Sequence, residues 1–297
     1  MSVKPGIADT ISDAAMSDPA GTTVVCRTGR SCEMLALGSS RPERARETRS
    51  LRRADALVAA GQTEAALAHL RRLTQTLPGA TRASLKMARL LKETKRVAEA
   101  LTVLRTAATA APTNPAPREA LAELALEVGA IPEAIVSAKA LMLLLPRSIP
   151  ARDILSAAYL QSGLLPDALR MAQELCRLDP GEPLHHFKRG VLLQQMGLVA
   201  GATEAYLRVL SDGEASGDEE FLQETRDALE MLDNYQLRQI AILAVEDAPF
   251  RANLRRDPFE TVMDKGFRLS PAGVAALSRL SLDDLPSPPA WRHHFYH

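Results

Sequence analysis

Several features that commonly carry chemistry are scarce or missing in this chain. Aromatic residues make up 4% of its 297 residues and tryptophan occurs once, too few for the packed interior of a β-sandwich or for a track along which bases could stack. Cysteine occurs three times, at Cys26, Cys32 and Cys176. An odd number makes no disulfide framework and fits a reducing setting, so a cytoplasmic location is expected. The apolar stretch LMLLLP at 141–146 is too short to cross a bilayer, and the first residues, MSVKPGIADTISDAAMSDPAG, lack the apolar centre of a secretory signal. Neither membrane insertion nor export is therefore expected. Lys and Arg together number 36, as do Asp and Glu, which leaves no overall pull toward nucleic acid. No glycine-rich phosphate loop, HExxH, paired CxxC or nucleophile elbow is present, so no catalytic residue, cofactor or metal site is expected.

What the chain does have is a period. Pro78, Pro112, Pro146 and Pro180 are equally spaced, and the same interval separates Ala66, Ala100, Ala134, Ala168 and Ala202. Gly61, Gly129, Gly163 and Gly197 keep that step, with Lys95 in the place of a glycine once. Each repeat reads as two antiparallel helices. In 149–182, ARDILSAAYLQS forms the first, Gly163 turns the chain in a left-handed conformation open to it at little cost, and PDALRMAQELCRL forms the second. Pro166 falls in the first turn of that second helix, where a missing N–H is harmless, and Pro180 ends it. The recurring alanine lets the paired helices approach closely. One such pair cannot bury its apolar side alone, so neighbours must stack.

The interval and these positions resemble the tetratricopeptide repeat (TPR), a helix-turn-helix unit of about 34 residues. The resemblance covers five units, 47–80, 81–114, 115–148, 149–182 and 183–216, and implies an all-α, right-handed TPR solenoid. The first unit, with ETRSLRRADALVAA, is polar enough for a terminal repeat. The fifth keeps Gly190, Gly197 and Ala202 but has Glu214 where a proline would stand. In that family the concave groove is lined by the first helices, at the second, fifth, ninth, twelfth and thirteenth positions. Carried over, this implies a partner-binding groove built from Arg82, Leu85, Arg89, Lys92 and Glu93, then Ala116, Glu119, Glu123, Leu126 and Glu127. Farther along it comprises Pro150, Asp153, Ala157, Leu160 and Gln161, then Leu184, Phe187, Val191, Gln194 and Gln195. A basic strip would adjoin an acidic one. Glu119, Glu123 and Glu127 share a helix face and repel mildly unless Arg89 and Lys92, or a basic ligand, offset them. The lysine and asparagine pattern with which some members hold a C-terminal carboxylate is absent.

Outside the array, residues 1–46 mix Ser, Thr, Gly, Asp and Arg without a period and read as a disordered arm. His69 is expected on the surface, and His185 and His186 in packing or water. Residues 217–234 read as a capping helix over the end of the array, and 235–285 as a small C-terminal helical bundle. Asp257-Pro258 and Ser270-Pro271 start helices of that bundle. Leu237, Ile240, Leu243, Phe250, Leu254, Phe259, Val262, Phe267, Leu269, Val274 and Leu277 are its expected core. The run DAPFRANLRRDPFETVMDKGFRLSPAGVAAL is similar to leader-like helical domains of peptide natural-product precursors and to the small subunit of extradiol ring-opening dioxygenases, through FR, L and DP, then Gly-Phe and Leu-Ser. The final PSPPAWRHHFYH joins a proline spacer to aromatics and histidines, so Trp291, Phe295 and Tyr296 are expected to dock on a surface, the protein's own or another's. His293, His294 and His297 read as part of that tail and not as a metal site.

The function these features imply is a non-catalytic adaptor or scaffold that binds a protein or peptide partner in its groove. The alternative is that the leader-like bundle and aromatic tail are presented to, or modified by, a partner enzyme.

Overall fold

A computed structural model describes residues 41–213, 218–283 and 285. Among these every regular element is an α-helix. Ten helices pair in chain order: α1 (Arg41–Ala59) with α2 (Thr63–Thr76), α3 (Thr81–Glu93) with α4 (Val97–Ala110), α5 (Pro115–Glu127) with α6 (Ile131–Leu144), α7 (Ile149–Gln161) with α8 (Leu165–Leu178), and α9 (Pro183–Gln195) with α10 (Val199–Gly213). The bundle that follows comprises α11 (Glu219–Glu246), α12 (Ala248–Arg256), α13 (Pro258–Asp264) and α14 (Pro271–Leu277). None of these helices is long and apolar enough to cross a membrane.

The period of the sequence is written into the backbone. Gly61, Gly129, Gly163 and Gly197 all adopt φ between 71° and 76°, and Lys95 adopts 64° in the corresponding turn. At Gly163 the turn closes with two hydrogen bonds, from the Gly163 N–H to the Leu160 carbonyl (3.0 Å) and from the Leu164 N–H to Tyr159 (2.9 Å). This pairing satisfies two of the carbonyls that a helix end leaves free. Lys95 and Arg96 make the same pair of bonds to Lys92 and Leu91. The five recurring alanines are wholly buried, and one apolar core runs continuously from Ala54 to Leu192.

A second regularity ties the third, fourth and fifth units to the proline ahead of each. Arg118 donates to the Pro112 carbonyl at 3.3 Å, Arg152 to Pro146 at 2.7 Å, and the His186 ring contacts the Pro180 oxygen at 3.0 Å. The basic residue stands six positions after its proline and fourth in its unit. The proline ends its helix, and its carbonyl then anchors the next one. His185 and His186 are thus packed inside, and the His69 Nε2 is enclosed as well.

Three expectations need correction. The first helix starts at Arg41 and not near Glu47, because Pro42 lies in its first turn, where proline initiates helices. Glu47 is buried mid-helix and accepts from the Ala83 N–H at 3.0 Å, capping the start of α3. Residues 219–246 form one 28-residue helix and not a cap followed by a second helix. They contain neither Pro nor Gly, and the buried side, Leu222, Leu229, Leu232, Ile240 and Ala244, continues through Asn234-Tyr235 without a break. Finally, Phe259 is 54% exposed and stands outside the bundle core of Ile240, Ala244, Phe250, Leu254, Val262 and Leu277.

The long helix therefore serves two bodies. Its first half packs on α10 through Leu229 and Leu232 near Tyr206. Its second half carries the bundle, with two side chains as keys. Asp233 accepts from the Ser270 N–H (2.9 Å) and from the Ser270 hydroxyl, and Gln236 exchanges bonds with the Arg268 backbone at 2.6 and 2.8 Å.

Candidate partner-binding groove

The stacked first helices α3, α5, α7 and α9 carry all the groove positions implied by the repeat. Between α3 and α5 they open a cleft of about 530 Å³. Leu85, Ala88, Leu104 and Leu124 make its floor, and Arg89, Lys92, Glu93, Glu123 and Glu127 stand around it. The expected meeting of basic and acidic strips is present, but the charges are unevenly matched. Lys92 Nζ reaches both Glu127 oxygens, at 2.7 and 2.5 Å. Arg89 pairs with Glu93 on its own helix at 3.1 Å. Among the described residues Glu119 and Glu123 have no ion pair. The Glu123 carboxyl is held above its ordinary range, first by desolvation and then by Glu119 and Glu127, against a smaller opposing pull from Lys92.

Other implied residues are placed differently. Arg82 is exposed and Glu119 half-buried, and neither lines the cleft. Asp153 is taken by an ion pair with Lys188 of the next unit. Leu160 packs against the core, while Gln161 and Gln195 are exposed. Phe187 packs tilted on Tyr206 and edge-on to Phe221, at centroid distances of 5.6 and 5.2 Å, and Gln194 accepts from the Tyr206 hydroxyl at 2.9 Å. Trp291, Phe295, Tyr296 and the tail histidines lie outside the described residues, as do Cys26 and Cys32.

Two features escaped the sequence reading. On the convex side Arg71 pairs with Glu99 and Arg105 with Glu133, so that the second pair repeats the first one full unit later. The period itself could have revealed that ladder. At the far end of the array, Phe187, Val191 and Gln194 do not simply face solvent. With Tyr206 and the first half of α11 they line a second, open cavity of about 780 Å³, flanked by acidic side chains. Its only sequence signal is the acidic face of EEFLQETRD, whose Glu220, Glu224 and Asp227 recur at helical spacing.

Comparison with known proteins agrees with this architecture. The tetratricopeptide repeat family matches residues 57–124. No curated protein matches the chain. Among solved structures, MamA (41-end) from Desulfovibrio magneticus RS-1 is similar at 19% identity and a TM-score of 0.51, over 58% of this chain and 97% of that one. A MamA RS-1 ArsTM double mutant is similar at 17% identity and 0.52, over 58% and 97%. YrrB, described as a TPR protein with an unusual peptide-binding site, is similar at 17% and 0.50, over 60% and 90%. At these identities the likeness is one of fold. The family match does not extend to 235–285, where the leader-like resemblance rests on its short motifs alone.

Proposed function

We propose that this chain, a tetratricopeptide-repeat protein, is a non-catalytic adaptor that holds an extended or helical peptide of a partner protein in its concave groove. The carrying observation is the cleft between α3 and α5. Its apolar floor accepts side chains, and its size is that of a small binding site. Glu123 on its wall and Glu119 one turn away have no ion pair among the described residues, so a peptide with a basic residue at that point fits best. Catalysis is not part of this reading, because the cleft's charged groups stand on an open surface that water reaches freely. A reducing, cytoplasmic setting accords with the unpaired buried Cys176.

The test is quantitative affinity capture from native lysate with the full chain and with Glu119→Lys/Glu123→Lys/Glu127→Lys, checking helicity by circular dichroism. A groove partner is expected to fall at least about tenfold, the effect of roughly 1.4 kcal/mol. Partners retained in full by the folded variant would remove the groove as the binding site.

A further inference from the structure

The cavity between α9, α10 and α11 is chemically one-sided. Phe187, Tyr206 and Met231 give it apolar lining, and no Lys, Arg or His lines it. Glu219 is paired with Arg226, and Asp227 receives the Gln223 amide at 2.8 Å, but Glu220 and Glu224 have no ion pair among the described residues. The N-terminal dipole of α11 accounts for Glu219 and Glu220 in its first turn, but it does not extend to Glu224 and Asp227 farther along. The negative field is felt inside: the Tyr206 hydroxyl is pushed up to about 12, by burial first and by Glu224 second. Met231 remains 60% exposed beside an aromatic lining. Apolar surface flanked along α11 by Glu220 and Glu224 fits a segment that brings aromatics and cations together.

We propose that this cavity is the seat of the chain's own segment 286–297, PSPPAWRHHFYH. The segment carries Arg292, three histidines and no acid, together with Trp291, Phe295 and Tyr296, so its charge and its apolar groups both complement the cavity. Its point of departure is favourable. Arg251 of α12 donates to the Leu285 carbonyl at 2.9 Å, and Leu285 packs on the cluster that contains Ile240 of α11. Met231, the lining residue nearest Ile240 along α11, is about 14 Å away along the helix, and with about 15 Å of passage round a helix roughly 10–12 Å across the diagonal path is about 20 Å. Six extended residues, Pro286 to Trp291, span about 20 Å, and the remaining six reach Glu224, about 10 Å farther along the helix.

Trp291 is the only tryptophan among four tyrosines, so emission under tryptophan-selective excitation reports this segment alone. The experiment compares emission maximum and acrylamide quenching for the wild type, for Glu220→Gln/Glu224→Gln/Asp227→Asn, and for Glu64→Gln on the convex side, with circular dichroism to follow the fold. The expected result is a blue-shifted emission and a quenching constant several-fold below that of the denatured chain, independent of protein concentration. The triple variant is expected to lose the shielding and Glu64→Gln to keep it. A solvent-exposed Trp291 in the wild type would overturn the proposal and leave the cavity to a basic segment of another protein. Shielding that survives the triple substitution would place the segment elsewhere, and shielding that grows with concentration would assign the seat to the segment of a second copy.

Discussion

The array and the C-terminal bundle are both helical, yet they are held together in different ways. In the array the same small set of contacts is used again in each unit: a wholly buried alanine, a left-handed turn and an apolar interface to the next pair. Its stability is spread along the stack. The bundle has a smaller core of its own, and its attachment to α11 passes through Asp233 and Gln236, which grip residues 268–270. Repetition tolerates variation at any one unit, whereas a single polar key admits little. Gly273 shows how little: a Cβ there would lie 2.5 Å from the Asp233 carboxyl carbon.

The largest effects come from removing one central contact from each body. Leu155→Ala, at a side chain 2% exposed in the middle of the array, is expected to cost about 2–5 kcal/mol. Urea unfolding followed by hydrogen exchange should show protection falling in α5–α10 on both sides of the site. Asp233→Ala is expected to cost about 2–3 kcal/mol, because the Ser270 N–H and hydroxyl lose a charged acceptor in a buried place. Exchange should then rise in α14 and leave α1–α8 unchanged. Equal loss of protection in both bodies would mean that they unfold as one unit.

A smaller test addresses the period itself. Lys95 holds a left-handed turn that four glycines hold in the other units, and for a residue with a Cβ this costs about 1 kcal/mol or somewhat more. Lys95→Gly is expected to stabilise by about that amount and Gly163→Ala to destabilise by about as much, measured as shifts in the urea midpoint. The weakest effects separate the two faces of the array by pH. The Glu133 carboxyl is held below its ordinary range, chiefly by the hydrogen bond from Arg105. Its contribution is present above the unfolded pKa and is lost as pH falls through the folded one. Glu123 is raised, so the folded state takes up the proton first, and its penalty disappears as pH falls through the window between the raised and the ordinary value. At neutral pH Glu123→Gln is expected to stabilise by a few tenths of a kcal/mol and Glu133→Gln to destabilise by under about 1 kcal/mol. Both differences should shrink in acid.

Much of the array was legible because its rules are local. A glycine or its substitute at the same place in each unit, a proline at each helix end and an alanine at each close approach can be read without knowing what lies across the chain. The bundle was harder. The apolar spacing on α11 is continuous, but the resemblance of units led to a break at 234/235 that no Pro or Gly in the chain provides. Phe259 fits the apolar pattern of a core and yet is exposed, because the short α13 turns Val262 inward in its place. The charge pairing along the first helices was not legible. Nothing in the spacing of Arg89 and Lys92 says that one pairs within its helix and the other across to Glu127.

Contacts within one unit and its neighbour suffice to specify the two-helix unit and its turns, so these follow from the sequence alone. Which charges are cancelled, that Phe187 and Gln194 engage Tyr206, and that α11 sets acidic side chains beside them appear only in the folded chain. Those outcomes depend on side chains from different units meeting at hydrogen-bonding distance, and a period fixes which residues recur without fixing which of them touch.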